Sequence, residues 1–408
     1  MHSMISGLIV LLALVAVCAV AIPSAAAGED VWIGDANNAF AADLYGRLAA
    51  QQGNLFYSPN SVEMALAMAY AGARGETAAQ MAKVLHLPAK GDALHKDFGA
   101  FLKELNAELG PDGKPRGYQL SVANALWGQK GYAFLPEYLD LTKTSYGAGL
   151  SELDFKTDAE GARKTINTWV EKETKDKIKD LIPPGTLTPL TRLLLTNAVY
   201  FKGLWADQFA KAATKDEPFH LGAGGDVECP MMHRTGRYAF KEGAGFTALQ
   251  LPYRGRELSM IVLLPNAVDG LPKLEKDLTS ANLAAWTQGF GSAEVQVALP
   301  RFKITAEFML GDTLHAMGMS DAFNAAAADL SGMDGKRDFS ISAVIHKAFV
   351  DVNEEGTEAA AATAVVMLGR AAPARPKVFC ADHPFLFLIR HEKSGAILFM
   401  GRLATPRA

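Results

Sequence analysis

Two nearly uninterrupted apolar segments in the second half of the chain set the strongest limit on its fold. Residues 193–201 and 258–264 are almost wholly apolar, a pattern typical of strands buried on both faces. Residues 341–352 form a further long strand candidate. Such strands need other elements to cover them, and 408 residues are enough to build a sizeable core.

The first half of the chain favours helices instead. Apolar residues recur at the spacing of one helix face over 40–48. Ser58-Pro59 predicts a helix start, because a hydroxyl cap precedes a proline in the first turn, and Gly72 predicts the end of that helix. The sequence over 77–80 matches a capping box and predicts another helix that begins there and runs towards Leu87.

The later half adds alternating and paired strands. Val295, Val297 and Leu299 occupy alternate positions, and 385–389 and 396–400 flank a predicted hairpin turn at 392–395. Helices first and antiparallel strands later predict an α+β fold with a large sheet.

The charge balance gives no indication of two classes of partner. Forty basic and 44 acidic residues are spread along the chain, for a net charge of −4. This balance gives no support for binding to nucleic acid or for stable association with an anionic membrane.

The N-terminal segment predicts export. Residues 5–22 are almost wholly apolar and are followed by Ser24 and three alanines, which fit an Ala-x-Ala cleavage site. We expect a signal peptide over 1–27 and a secreted, extracellular mature chain over 28–408, with the periplasm as an alternative location. An uncleaved anchor is the rival, since the apolar run is long and no Lys or Arg precedes it. Attachment of a lipid at Cys18 is disfavoured by the bulky Val17.

Two cysteines, Cys229 and Cys380, remain after this cleavage. They are far apart and form neither a disulfide framework nor a metal-ligand spacing, so we expect two buried thiols.

Signatures of enzymes are absent from the sequence. It contains no nucleophile elbow, Walker loop or dinucleotide fingerprint. His391-Glu392 lacks the second histidine of a zinc protease and falls at the predicted hairpin turn, where we expect solvated polar groups. Glycines at 222–225 favour a plain loop. We therefore predict no catalytic residues, no metal site and no cofactor, although scattered side chains can still meet in space.

The most unusual stretch is 354–366, whose composition is compatible with more than one type of secondary structure. Its alanines favour a helix, whereas Thr363, Val365 and Val366 favour a strand. It then runs into Gly369 and a loop with two prolines. We expect that the ability of this segment to adopt helix, loop or strand is itself its function.

Eight blocks in order give the chain a close resemblance to the serpin family over residues 35 to 404. The blocks are FYSPNS at 56–61, NAVYFKGLW at 197–205, CPMM at 229–232, LPRF at 299–302, DLSGM at 329–333, IHKA at 345–348, NEEGTEAAA at 353–361 and HPFLF at 383–387.

This resemblance implies one serpin domain over 28–408. It implies helices packed on a large central, mainly antiparallel sheet, with smaller sheets and an exposed reactive loop at about 354–378. It also implies an irreversible inhibitor, a monomer without a cofactor, whose partner is a serine protease held in a covalent complex. The cleaved loop of a serpin inserts into the central sheet as a new strand. A non-inhibitory serpin that acts as a binding protein is the alternative.

The hinge of the loop fits insertion. Glu354 and Gly356 begin it, and alternation along the inserted strand turns small side chains towards the core. These inward positions are Thr357, Ala359, Ala361 and Thr363. Proline, which would interrupt the new ladder, is absent from 356–370.

The reactive bond implied by the family count lies sixteen residues beyond Glu354, between Arg370 and Ala371. A basic residue there predicts trypsin-like target proteases, whose specificity pocket holds a carboxylate. Arg375 is a rival but precedes a proline, and Met367 or Leu368 would suit a chymotrypsin-like target.

Two further groups carry over from the family. The shutter, where the sheet parts, matches Ser58, Ser61, Asn197 and His346. The breach, where the loop enters, matches Trp205, Arg301 and Glu354. Mixed charge over 87–116 gives no support for a heparin-type activator site, and the alanine-rich composition without glycosylation sequons favours a prokaryotic source.

Overall fold

Two β-sheets form the framework of the computed structural model, which describes residues 31–147, 149–356 and 375–406. The predicted signal peptide and hinge positions 357–363 lie outside these described residues, as does the Arg370–Ala371 bond. Within the described ranges, no helix combines the length and the apolar character needed to cross a membrane.

The helices concentrate in the first half of the chain, as the sequence predicts. The described α-helices are α1 Val31–Leu48, α2 Pro59–Gly72, α3 Gly75–Val84, α4 Asp92–Leu105, α5 Pro136–Tyr146, α6 Phe155–Glu173, α7 Leu271–Lys276, α8 Ser280–Trp286 and α9 Gly311–Ala316.

The strands lie mostly in the second half. They are β1 Leu55–Tyr57, β2 Tyr118–Gln129, β3 Leu150–Leu153, β4 Leu193–Gly203, β5 Lys215–His220, β6 Asp226–Glu242, β7 Phe246–Pro252, β8 Leu258–Pro265, β9 Gly291–Pro300, β10 Phe302–Met309, β11 Ile341–Val352, β12 Lys377–Cys380, β13 Phe385–His391 and β14 Ile397–Leu403.

Local sequence signals predicted both ends of α2 correctly but placed the start of α3 too late in the chain. The Ser58 hydroxyl caps α2 by accepting from Ser61 N at 3.2 Å, and the helix ends at Gly72 as predicted. The capping box predicted at 77–80 is wrong, since α3 already begins at Gly75. The Thr77 hydroxyl instead accepts from Asp329 N at 2.9 Å, so it ties the helix to a distant loop.

The larger sheet has nine strands and is almost entirely antiparallel. Its order is β1-β14-β13-β8-β7-β6-β9-β12, with β5 paired to β6. Only β9 and β12 pair in parallel among the described strands of this sheet. The predicted hairpin of β13 and β14 is present.

The smaller sheet has five strands, in the order β10-β11-β4-β2-β3. The pairs β11/β4 and β2/β3 are parallel, and the other two pairs are antiparallel. Helix α6 packs on one face through Ile166 and Val170, and α2 packs against β2 and β4. The α+β fold class predicted from the sequence is confirmed, since helices cover a mixed sheet beside a second, mainly antiparallel one.

His391 departs from the expected solvated turn. It ends β13, is 2% exposed, and its Nδ1 lies 2.9 Å from the Ser394 hydroxyl. The imidazole packs edge-on against Phe101, and this contact with α4 is what removes it from water.

Cys229 and Cys380 are thiols that form no disulfide among the described residues, as expected, although only Cys229 is buried. Burial raises the pKa of Cys380 to about 12, with a further contribution from Asp382. The thiol is therefore protonated and unreactive near neutral pH. No group of three metal-ligating side chains occurs in the part of the chain that the structure describes.

Candidate functional site

The parallel pair β11/β4 lies in the middle of the five-stranded sheet, where the family resemblance implies that a further strand would enter. Its ladder runs from Ile341 opposite Leu193 to Phe349 opposite Tyr200. It stops there, three residues before the end of each strand. The last three residues of the two strands are therefore not paired with each other, which leaves a cleft at this end of the sheet.

The turn after β11 crosses this cleft. Asn353 N donates to Gly356 O at 2.9 Å, and Gly356 N donates to Asn353 O at 3.2 Å. Gly356 then forms an antiparallel bridge with Leu204, just beyond the end of β4. At Gly356 the chain therefore runs antiparallel to β4, which is the direction of a strand that returns from β11 through a tight turn.

Glycine is required at the end of this turn. The φ of Gly356 is +129°, a conformation that other residues rarely adopt. A Cβ atom there would lie 2.1 Å from Gly203 O and 2.6 Å from Trp205 N. The close approach of two backbones thus depends on the missing side chain.

Trp205 holds the turn in place from the β4 side. The indole Nε1 donates to Asn353 O at 2.9 Å, and the backbone N donates to Glu355 O at 3.0 Å. The ring is 1% exposed and stacks on Tyr253 with 4.7 Å between the ring centroids. A rigid aromatic platform therefore supports both sides of the hinge turn.

The carboxylate of Glu354 joins three segments at the same point. Glu354 is 5% exposed, and its Oε1 accepts from the Thr214 hydroxyl at 2.8 Å. Arg301 Nε lies 3.6 Å from its other oxygen, and Phe209 N donates to Glu354 O at 2.8 Å. The structure thus places the predicted breach residues Trp205, Arg301 and Glu354 around one turn.

Lys211 adds a contact that the sequence did not reveal. Its Nζ lies 2.5 Å from Glu355 Oε1, and this hydrogen bond raises the pKa of Lys211. Lys211 itself is mostly exposed, so water can replace it when the hinge moves. Two adjacent acids, Glu354 and Glu355, predict that basic side chains lie nearby. The sequence around Lys211, however, does not identify this residue as their partner.

A buried polar chain crosses the same sheet about halfway along. His346 of β11 lies opposite Asn197 of β4, and the imidazole Nδ1 contacts Asn197 Oδ1. Ser58 N, at the start of α2, donates to His346 Nε2 at 3.1 Å. Asn197 Nδ2 continues the chain to the Ser61 hydroxyl at 2.5 Å. The four residues predicted for the shutter are therefore brought together.

Asn124 is a fifth member that sequence reasoning missed. It lies opposite Asn197 on β2, its Oδ1 accepts from the Ser61 hydroxyl at 2.9 Å, and its Nδ2 donates to Ser61 O at 3.1 Å. A lone amide between apolar neighbours in β2 is the signal that could have found it. The chain spans β11, β4 and β2, so separating β11 from β4 breaks its His346–Asn197 link.

His346 is neutral in this arrangement. Because its Nε2 accepts from a backbone N–H, its proton is on Nδ1 and is donated to Asn197. The residue is fully buried, and burial lowers its pKa from 6.5 to about 3. A protonated imidazole would lose the bond from Ser58 and remain buried away from water.

Acid is therefore expected to destabilise the folded protein through His346. Between pH 6.5 and about 3 the unfolded chain binds a proton at this residue and the folded chain does not. This one group lowers the free energy of unfolding by up to about 1.4 kcal/mol per pH unit as the pH falls through that window. His346→Gln keeps a polar side chain without the titration. Urea unfolding at pH 7.5, 6 and 5 should show a shallower pH dependence in the variant, and equal slopes would contradict the assignment.

The far end of the loop is anchored on the other sheet. Arg375 is exposed, and β12 begins two residues later, paired with β9. The positions Thr357, Ala359, Ala361, Thr363, Arg370 and Ala371 fall between the two anchors, outside the described residues.

Comparison with known proteins gives a consistent result. The model of the family described as "Serpin (serine protease inhibitor)" matches residues 35–406. The human leukocyte elastase inhibitor is 44% identical over 385 residues, which cover 92% of this chain and 99% of that protein.

Solved structures agree with the sequence match. Uncleaved ovalbumin superposes with a TM-score of 0.82 at 32% identity, covering 92% of this chain and all of the ovalbumin chain. Human thyroxine-binding globulin, solved in complex with thyroxine, has a TM-score of 0.81 at 28% identity, covering 93% of this chain and all of its own.

Proposed function

Since this chain belongs to the serpin family of serine protease inhibitors, we propose that it is an inhibitory member that traps trypsin-like proteases through Arg370. The observation that carries the proposal is the antiparallel bridge from Gly356 to Leu204 at the head of the parallel β11/β4 pair. The hinge already points along the path of insertion, so the loop needs no reversal to become a strand.

Insertion exchanges one hydrogen-bonded ladder for two. The parallel pairing of β11 with β4 is lost, and the new strand pairs antiparallel with both. Antiparallel pairing is slightly more stable per residue than parallel pairing, so the exchange is downhill once the sheet has opened. The gain becomes available only after cleavage frees the loop from its anchor at β12.

The trap depends on how far the loop travels. A protease that attacks the Arg370 carbonyl forms an acyl bond to Arg370 and releases the chain that begins at Ala371. Full insertion then extends the fourteen residues after Gly356 along the sheet, over about 46 Å at about 3.3 Å per residue. The attached protease is carried from one end of the sheet towards the other, and distortion of its active site prevents release of the acyl group by water.

The hinge composition supports trapping rather than simple hydrolysis. Thr357, Ala359, Ala361 and Thr363 are small at the positions that turn inward. Glu358 turns outward to water. Fast insertion requires that no inward side chain resists burial, because the protease otherwise completes hydrolysis and leaves.

The residue that precedes the reactive bond, Arg370, supports a trypsin-like target. The human relative is named for leukocyte elastase, but the position implied by the family count is arginine in this chain. A guanidinium binds most favourably in a pocket that holds a carboxylate. Specificity depends on the side chain that precedes the reactive bond in the individual loop. The target class proposed here therefore differs from the protease in the relative's name.

A binding protein without inhibitory action is the second candidate. It is favoured by the similarity to thyroxine-binding globulin, whose structure contains a small ligand. The small inward side chains of this hinge favour the inhibitor.

Incubation with trypsin separates the two. The inhibitor gives a complex that survives SDS, with the mass of this chain's N-terminal fragment plus trypsin. Trypsin whose catalytic serine has been blocked covalently is the control and should give none. A cleaved loop with no stable complex at any ratio of the two proteins would support the binding protein and refute trapping of trypsin.

We propose export of a monomeric mature chain, 28–408, as one domain. The apolar segment and the alanines at 25–27 predict a first residue at Gly28. N-terminal sequencing of protein from the culture fluid or periplasm of the native host tests this. Met1 on membrane-bound protein would instead support the anchor.

A further inference from the structure

A cationic cleft opens beside β6, away from the shutter. It has a volume of about 580 Å³ and is lined by Arg234 and Arg237 of β6 and by Arg256 in the turn between β7 and β8. A second cavity of about 270 Å³ adjoins it and shares Arg237, Tyr238 and Arg256. We call these two connected spaces the arginine cleft.

Positive charge exceeds negative charge in this cleft. Arg234 pairs with Asp207 at 3.2 Å, and this is the carboxylate that lines the larger cavity. Arg237 Nη1 reaches only the Ser292 hydroxyl, at 3.4 Å, and no salt bridge to Arg237 or Arg256 occurs among the described residues. In the smaller cavity, the Glu392 carboxylate is engaged by the Ser259 hydroxyl. Three guanidinium groups therefore share the cleft with two carboxylates, and neither Arg237 nor Arg256 forms a salt bridge among the described residues.

A buried tyrosine forms part of the cleft wall. Tyr238 is 5% exposed. Burial raises the pKa of its hydroxyl, although the neighbouring Arg234 lowers it in part. The hydroxyl is therefore protonated at neutral pH and adds no negative charge to the cleft.

We propose that the arginine cleft binds an anion that carries two phosphate or carboxylate groups. Planar guanidinium groups bind such oxygens through two parallel hydrogen bonds, and Arg237 and Arg256 are available for one group each. A volume of about 580 Å³ lies within the range of small-molecule sites. The binding site itself does not depend on the proposed function.

The cleft contacts both anchors of the loop. Arg234 Nη1 donates to Gln208 O at 2.7 Å, and Gln208 Nε2 donates to Glu355 O in the hinge at 3.1 Å. On the other side, Gly236 pairs with Val295 of β9, which pairs with Lys377 of β12. The anion can be a free small molecule or acidic side chains of a protease that docks over the loop. The second source rests on the proposed function.

Calorimetric titration of the intact protein with pyrophosphate, without protease, tests the site. We expect saturable binding of one pyrophosphate per chain in a phosphate-free buffer of low ionic strength. Arg237→Gln and Arg256→Asn should each raise the Kd about tenfold, which corresponds to the loss of one charge-assisted contact. Asparagine suits position 256, where φ is +59°. Lys164→Gln, on the exposed face of α6, removes the same charge at a distance and should leave the Kd unchanged.

A second arm identifies the source of the anion. The association rate with trypsin is measured with and without saturating pyrophosphate, and hydrolysis of a small chromogenic substrate by trypsin serves as the control. A slower association assigns the cleft to acidic groups of the protease, whereas an unchanged rate assigns it to a free anion. Absence of saturable binding, or equal Kd values in the wild type and both arginine variants, would overturn the proposal whether or not the chain inhibits trypsin.

Discussion

Arg370→Ala is expected to lower the association rate with trypsin by roughly 30- to 4000-fold. The change removes the guanidinium that pairs with the carboxylate of the specificity pocket, and loss of one partner of a desolvated charge pair costs about 2–5 kcal/mol. Each 1.4 kcal/mol corresponds to about tenfold. The measurement is the second-order rate of trypsin inactivation, with protein in excess.

Arg375→Ala is the matched control for this variant. It removes the same side chain from the same loop but precedes Pro376, where trypsin-like enzymes attack poorly. We expect it to inhibit trypsin at the wild-type rate. Rapid inhibition that persists in Arg370→Ala would move the reactive bond to Leu368 or Arg375. Leukocyte elastase, assayed in parallel, shows whether the alanine variant gains a target with a preference for small side chains.

Thr357→Arg is expected to convert the inhibitor into a substrate. Position 357 is the first inward residue after the bridge from Gly356 to Leu204, so an arginine there must enter the sheet at the outset of insertion. An unpaired buried charge costs several kcal/mol, which slows insertion relative to hydrolysis. Trypsin should still cleave the loop, but the yield of SDS-stable complex should fall to a small fraction of that of the wild type.

Glu358→Arg provides the control for the hinge register. The same side chain is introduced one residue later, at a position that turns outward to water. Its yield of complex should stay close to that of the wild type. An undiminished complex with Thr357→Arg, or a loss in the 358 variant alone, would show that the inward and outward positions are assigned the wrong way round.

Local signals in the sequence were sufficient for several elements. The bounds of β11 were predicted as observed because apolar and β-branched residues fill it, and a Ser-Pro pair defined the start of α2. The start of α3 was misplaced because the Thr77 hydroxyl binds Asp329 N, a contact across 252 residues that no local pattern contains. His391 was expected in water for the same reason, since its burial depends on α4.

The site was predictable only in part. The family resemblance supplied Trp205, Glu354 and His346, and the geometry brings each into its group. The parallel pairing of β11 with β4 joins segments about 150 residues apart, and hydrophobic patterns do not specify which strands become neighbours. Lys211 was missed because its role depends on the fold, which brings an exposed side chain beside the hinge acid Glu355.

The arginine cleft was equally invisible in the sequence. Arg234 and Arg237 lie three residues apart on one strand, but Arg256 joins them only through the turn between β7 and β8. Isolated arginines in a chain with nearly balanced charge indicate solubility and nothing more. Their convergence around a buried tyrosine hydroxyl is a property of the folded state.

The central claim is that the intact chain stores free energy which insertion of the loop releases. After cleavage at Arg370, residues 356–366 can form a strand that pairs with both β4 and β11. Two ladders then replace the single parallel ladder between β4 and β11, which is a net gain of about one ladder of hydrogen bonds. About eleven hydrogen bonds at about 0.5–1.5 kcal/mol each amount to roughly 5–15 kcal/mol. At about 2 °C per kcal/mol for a chain of this size, the melting temperature should rise by about 10–30 °C.

Thermal melts of the intact and the trypsin-cleaved protein therefore test the account most directly. Circular dichroism at equal concentration, with cleavage at Arg370–Ala371 verified by mass spectrometry, gives both melting temperatures. The account predicts that the cleaved protein melts tens of degrees above the intact one. Equal melting temperatures would contradict loop insertion in this protein and, with it, the proposed trap.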